Sequence, residues 1–115
     1  MAIGLILRMR VKELFEQVIP TILRNHPERA KVLEGTVFFQ ISGAQGGTWF
    51  IDPTAQPPRL TSHADAVIAC TVRARDDDFQ TMLDDPKAAV ALFQQGKIQV
   101  TGDAQIITRF HLLLE

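Results

Sequence analysis

The chain has 115 residues, 46% of them apolar, and carries 12 basic and 13 acidic side chains for a formal net charge of −1. That length and composition predict one folded domain over residues 1–115 with a sizeable core, and they exclude a disordered chain. There is no basic block, and the one Trp and seven Phe are not interleaved with Lys or Arg, which excludes nucleic acid as a partner.

The opening apolar run, Ile3 to Leu7, is broken by Arg8 and is too short for a signal-peptide core or a membrane span. With Arg8, Arg10 and Lys12 it suits either transient membrane contact or helix packing. The single cysteine, Cys70, cannot form an intrachain disulfide, and Leu113-Leu114-Glu115 is not a peroxisomal tripeptide. A soluble, cytoplasmic protein is expected.

Val11, Leu14, Phe15, Val18, Ile19, Ile22 and Leu23 recur at three- and four-residue steps and predict an amphipathic helix of about four turns. Pro20 falls inside it and should kink or split it. Pro27 opens a short helical piece that Gly35 should stop. Thr36 to Ser42 alternates as a strand, with Val37, Phe39 and Ile41 on one face and Phe38 and Gln40 on the other. Gly43 to Gly47 turns the chain into a second strand, Thr48 to Asp52. The next ten residues contain three of the six prolines and predict a loop with at most a short edge strand near Arg59 to Thr61.

Ala66 to Ala74 is the clearest strand, with Ile68, Cys70 and Val72 on one face and Thr71 and Arg73 on the other. Asp76, Asp77 and Asp78 start a helix with Phe79, Met82 and Leu83 inward, their carboxylates suiting its N-terminus. Asp85-Pro86 opens another, with Val90 and Phe93 inward. Gly96 stops it, Lys97 to Thr101 forms a strand marked by Ile98 and Val100, and Asp103 caps a last helix. That helix groups Ile106, Ile107, Phe110, Leu113 and Leu114 on one side. The order predicts an α+β fold, one sheet with helices stacked on one face. The link from Ala74 to Lys97 is long enough for a helical crossover, so the last strand is expected parallel to its neighbour in a mixed sheet.

Four pieces of this sequence together resemble the sterol carrier protein type-two (SCP-like) family. They are VKELFEQVIP; LEGTVFFQISG with GGTWFID; ADAVIACTVRARDDDFQTML; and ALFQQGKIQVTGDAQI, all in the family's order and spacing. The chain departs from the family at Asp84-Asp85-Pro86, where many members have a Gly-Lys turn, and in the Pro-rich loop before His63. The resemblance implies a five-stranded sheet packed against about five helices, with a hydrophobic tunnel between the layers that holds sterols, fatty acyl chains or other lipids. It implies no catalytic residue, no metal and no cofactor. It also links bacterial relatives to isoprenoid quinone biosynthesis, where biosynthetic enzymes would be partners. On that reading the ligand-binding residues are Val37, Phe39, Ile41, Ile51, Phe79, Met82, Leu83, Phe93, Ile98, Val100, Ile106, Phe110 and Leu113, with Trp49 near the rim. The same residue types line a cavity or fill a core, so composition leaves both open.

Reactive alternatives are weaker. Cys70 shares an apolar strand face and reads as a small hydrophobe, though His63 and Asp65 lie near it in sequence. His26, His63 and His111 lack metal-ligand spacing, and the Asp76–Asp78 run fits no calcium loop. The expected function is non-catalytic carriage or presentation of an apolar molecule.

Overall fold

The apolar stripe that begins at Val11 winds into one helical rod, α1, spanning residues 11–25 of a computed structural model that describes residues 10–53, 59–61 and 67–114. All seven residues of the stripe are buried. The rod changes pitch. Val11–Glu13 and Ile19–Asn25 are α-helical, and Leu14–Val18 between them is π-helical. Pro20 has no N–H to give to the preceding turn, and the wider π turn beside it accommodates that lost bond without ending the rod.

Pro27–Leu33 follows as a 3-10 helix. Its stop is Glu34, with φ of 60°, rather than Gly35 as the sequence suggests. Gly35 answers a different need, because a Cβ there would lie 2.7 Å from the Cβ of Ala69.

One mixed sheet has the order β3-β2-β1-β4-β5. Its strands are β1 (Thr36–Ser42), β2 (Gly47–Asp52), β3 (Arg59–Thr61), β4 (Ile68–Arg75) and β5 (Ile98–Gly102). β1 and β2 form an antiparallel hairpin that sets Phe39 against Trp49, closed by the Gly46 N–H donating to the Gly43 carbonyl at 3.0 Å. The parallel pair is β1 with β4, whereas β5 runs antiparallel to β4. This corrects the expectation of a parallel last strand. A single crossover helix would return the chain to the start of β4. Two successive helical pieces reverse it twice, so β5 sets out from the end that β4 has just reached.

Alternation sends Val37, Phe39, Ile41, Trp49, Ile51, Cys70, Val72 and Ile98 to a buried inner face. Ile68 is not with them and is 39% exposed. The register shifts from Thr36↔Ile68 to Val37↔Cys70, and the extra residue, Ala69, turns Ile68 off the face that Cys70 and Val72 share. On the outer face Thr48, Arg73, Gln99 and Thr101 are exposed, and Phe38, Gln40, Phe50 and Thr71 are half-buried. Thr36 and Asp52 end that face as a buried polar pair, the hydroxyl donating to Asp52 Oδ1 at 3.4 Å.

Helix α2 (Asp76–Asp84) packs on β1 and β4 and buries Phe79 and Leu83. A 3-10 turn, Pro86–Ala88, leads into α3 (Ala89–Gln94), with the Asp85 carboxylate accepting from the Lys87 N–H at 3.2 Å. The tighter turn shifts the phase of the following helix. Leu92 becomes its buried residue, Phe93 is half-buried, and Val90, expected inward, is 64% exposed. Helix α4 (Ala104–Leu114) starts where Asp103 accepts from the Gln105 N–H at 3.1 Å, and it packs on β4, α1 and the 3-10 segment Pro27–Leu33. Ile3 to Leu7, the Pro-rich stretch at 54–58, His63 and Asp65 lie outside the described residues. So do the side chains of Ile107, His111 and Leu114.

Candidate functional site

The inner sheet face and the helices enclose one apolar interior, and every residue singled out from the sequence as a ligand contact is placed in it. Val37, Phe39, Ile41, Ile51, Phe79, Leu83, Ile98, Ile106, Phe110 and Leu113 are buried in a single cluster, and Met82, Phe93 and Val100 pack against its edge. Trp49 is only 6% exposed. It lies inside the layer rather than at a rim, because the sheet pleat directs it inward and Phe15 covers its ring. Gly47 makes room for it, since a Cβ there would sit 2.7 Å from the indole.

Phe15 is the residue that the sequence-based site lacks. Its ring is fully buried and stacks on Trp49 at 4.3 Å with 5° between planes. It also meets Phe39 at 4.8 Å, Phe79 at 5.7 Å and Phe110 at 6.5 Å. Phe39 in turn meets Phe110 at 5.1 Å and stands edge-on to Phe79 at 6.0 Å. Five aromatic rings drawn from α1, β1, β2, α2 and α4 therefore form the centre of the molecule. The signal for Phe15 was its place on the helical stripe. What the stripe did not reveal is that the π turn carries this residue to the point where both layers converge.

The chemistry available here is apolar. Among the described residues no buried side-chain nitrogen or oxygen lacks a hydrogen-bond partner, so a guest would be held by shape and dispersion rather than by a waiting polar group. The Cys70 thiol is buried, and its pKa is pushed up, first by burial and then by the negative charge of Asp103. A nucleophile needs the opposite shift. Asp76 has a structural part. Its carboxylate accepts from the Gln45 N–H at 2.9 Å and the Asp77 N–H at 2.8 Å, and these bonds, the first foremost, hold its pKa below the usual carboxylate range. It ties the β1–β2 turn to the start of α2. His26 is exposed, with Nδ1 3.5 Å from Glu28. Among the described residues no three His, Cys, Asp or Glu side chains are grouped to hold a metal ion, and no helix is long and apolar enough to cross a membrane.

Polar ties hold α4 to the helical layer. Arg109 Nε donates to the Val32 carbonyl at 2.8 Å, and its Nη2 lies 3.2 Å from Glu34 Oε2. The unusual φ of Glu34 thus places a carboxylate beside the last helix.

The SCP-2 sterol transfer family matches residues 15–115. Among solved structures, sterol carrier protein 2 of Yarrowia lipolytica in its apo form superposes with a TM-score of 0.64 and 17% identity, covering 90% of this chain and 83% of that one. The UbiJ-SCP2 ubiquinone synthesis protein gives a TM-score of 0.65 and 21% identity, covering 90% and 92%. These likenesses establish a common fold of mixed sheet and helices. Hydroxysteroid dehydrogenase-like protein 2 of Homo sapiens is 26% identical over 89 residues, which is 73% of this chain but 20% of that protein. The chain thus spans about a fifth of the length of the curated relatives it matches. With the family matched over all but its first 14 residues, the chain belongs to the SCP-2 sterol transfer family.

Proposed function

We propose that this protein binds a lipid reversibly between its helices and the inner sheet face, and carries or presents it without making or breaking bonds. The family match over residues 15–115 is the observation that carries this reading. The apolar interior, with its five rings and satisfied polar groups, supports it. Burial yields about 25 cal/mol per Å² of apolar surface, so a lipid hiding roughly 300 Å² gains on the order of several kcal/mol before entropy costs. Nothing directional is required, and specificity is broad. Sterols, fatty acyl chains and isoprenoids are all candidate guests, with Phe15 joining the contacts proposed from the sequence. Helix α4 and residues 79–93 form the wall that yields to admit the guest. The rings touch one another, so entry must part them.

A second reading is favoured by the ubiquinone synthesis protein among the fold neighbours, namely a module that presents an isoprenoid intermediate to biosynthetic enzymes. Hydrolysis through Cys70 is disfavoured by the burial and raised pKa of its thiol. The dehydrogenase-like relatives supply no argument for catalysis here, because the match covers only a fifth of them.

The test is native mass spectrometry of freshly purified protein with identification of co-purified lipid, followed by titration with a fluorescent fatty acid. Phe110→Asp and Phe93→Asp, each tested only where circular dichroism shows that the variant has kept its fold, should abolish binding. Wild-type affinity in either folded variant refutes the placement. No lipid and no titratable binding in the parent protein refutes the function.

A further inference from the structure

The outer face of the sheet carries a second feature, physically separate from the apolar interior. Strand register sets Gln40, Arg73 and Gln99 in one row across β1, β4 and β5. Arg73 Nε donates to Gln40 Oε1 at 2.6 Å, which fixes the guanidinium over the sheet. One step along, Arg75 lies beside Ser42, its Nε 3.5 Å from Asp77 Oδ1. Lys97 enters from the corner before β5. Together they line an open groove of about 550 Å³ in which, among the described residues, Asp78 is the one lining carboxylate against three cations. The chain as a whole is net negative, so this local excess of positive charge runs against its composition. The row on the other side of Arg73 presents Phe38 and Phe50, half-buried and stacked at 4.2 Å with 6° between planes.

We propose that this face docks an acidic segment of a partner protein, with its carboxylates on Arg73, Arg75 and Lys97 and an apolar side chain against the Phe38–Phe50 pair. Arginines beside a partly accessible aromatic pair are groups that anchor protein interfaces, and the two terminal nitrogens of a fixed guanidinium match a carboxylate in geometry as well as charge. The groove is too open to enclose a small molecule. A planar anionic bilayer would press on Asp77 beside the groove and on Asp78 in its lining, whereas a chain segment can seat its carboxylates on the cations and turn uncharged positions toward Asp78. The inference does not depend on what the interior holds.

The test is an NMR titration of the isotopically labelled protein with a synthetic peptide of alternating glutamate and leucine, run beside its glutamine counterpart. Expected are shifts at Gln40, Arg73, Arg75, Lys97 and Gln99, weakened by salt as exposed charge pairs are. The double variant Arg73→Gln, Lys97→Gln should lose about tenfold or more in affinity, roughly the loss of two charge contacts, with fatty-acid binding unchanged. Any of four results overturns the proposal. These are no shifts on this face at millimolar peptide, equal binding of the glutamine peptide, phosphatidylglycerol vesicles binding here in place of the peptide, or sedimentation showing that the groove pairs two copies of this chain.

Discussion

Replacing Phe15 by Ala tests whether one ring organises the interior. Phe15 is fully buried and faces four other aromatic rings, with centroids between 4.3 and 6.5 Å away. Truncating a buried Phe to Ala costs about 3–5 kcal/mol, and aromatic pairs contribute about 0.5–1.5 kcal/mol each beyond area burial. The ring losses are not additive, so the expected cost is near the top of the first range, about 4–5 kcal/mol. A domain of this size has roughly 5–15 kcal/mol in all, and at about 4 °C per kcal/mol the melting temperature should fall by about 15–20 °C. Urea and thermal unfolding followed by fluorescence suit the question, because Trp49 is the chain's single tryptophan and Phe15 lies flat against it. The native emission itself should change once the stacked ring is gone. Phe38→Ala is the control, a half-buried ring on the outer face that stacks on Phe50, and should cost about 1 kcal/mol. A Phe15→Ala cost below about 1.5 kcal/mol, or one no larger than that of Phe38→Ala, refutes the account of the interior.

Gly102→Ala should destabilise by at least about 2 kcal/mol. There φ is +92° and a Cβ would lie 2.4 Å from the Ala69 carbonyl oxygen; Gly96→Ala, at φ +72° with nothing within 4 Å, should cost only about 1 kcal/mol in the same denaturant series. Because the folded-state pKa of Asp76 is depressed, its ionised carboxylate stabilises the fold above the unfolded-state pKa, and that contribution is lost as pH falls through the folded value. Asp76→Asn should therefore lower stability at neutral pH and flatten the acid limb of the stability curve, read by denaturant unfolding from neutral pH downward. Cys70, with its pKa raised, keeps a neutral thiol through neutral pH, and its contribution to stability is lost only as pH climbs past the unfolded-state value. It should react slowly with a thiol reagent in the native protein and quickly in denaturant; equal rates would contradict its burial.

Period and punctuation made most of the elements legible. Alternation in Thr36 to Ser42 and in Thr48 to Asp52 is visible because one face of each strand meets the core, and Asp103 announces its helix by capping it. Readings failed where a local irregularity resets the phase. The bulge at Ala69 moves Ile68 out, and the turn Pro86–Ala88 exchanges Val90 for Leu92. Each is one residue's worth of geometry, below what a periodic pattern can resolve. The direction of β5 failed for another reason, since a link long enough for a crossover is also long enough for two helices. Of the interior, the membership was readable from hydrophobicity. The convergence on Phe15 was not, because it depends on three-dimensional placement of a π turn.

For a lipid to reach this interior, one of the two layers has to open, and they are not equally resistant. Each central strand is laddered on both sides, β1 by β2 and β4 and β4 by β1 and β5, so parting the sheet would strip rows of backbone hydrogen bonds at once. A helix satisfies its backbone internally and can lift as a unit. Lifting α4 costs the burial of Ile106, Phe110 and Leu113 together with the ties from Arg109 to Val32 and Glu34. A guest that covers the same inner face restores most of the apolar part of that cost, and the polar ties lie outside the apolar contact and can re-form over it. The sheet is therefore the fixed wall of the proposed site and the helical layer its movable one. Arg73 belongs to this laddered wall, because β4 places Val72 and Ala74 inward and Arg73 outward between its two neighbouring strands.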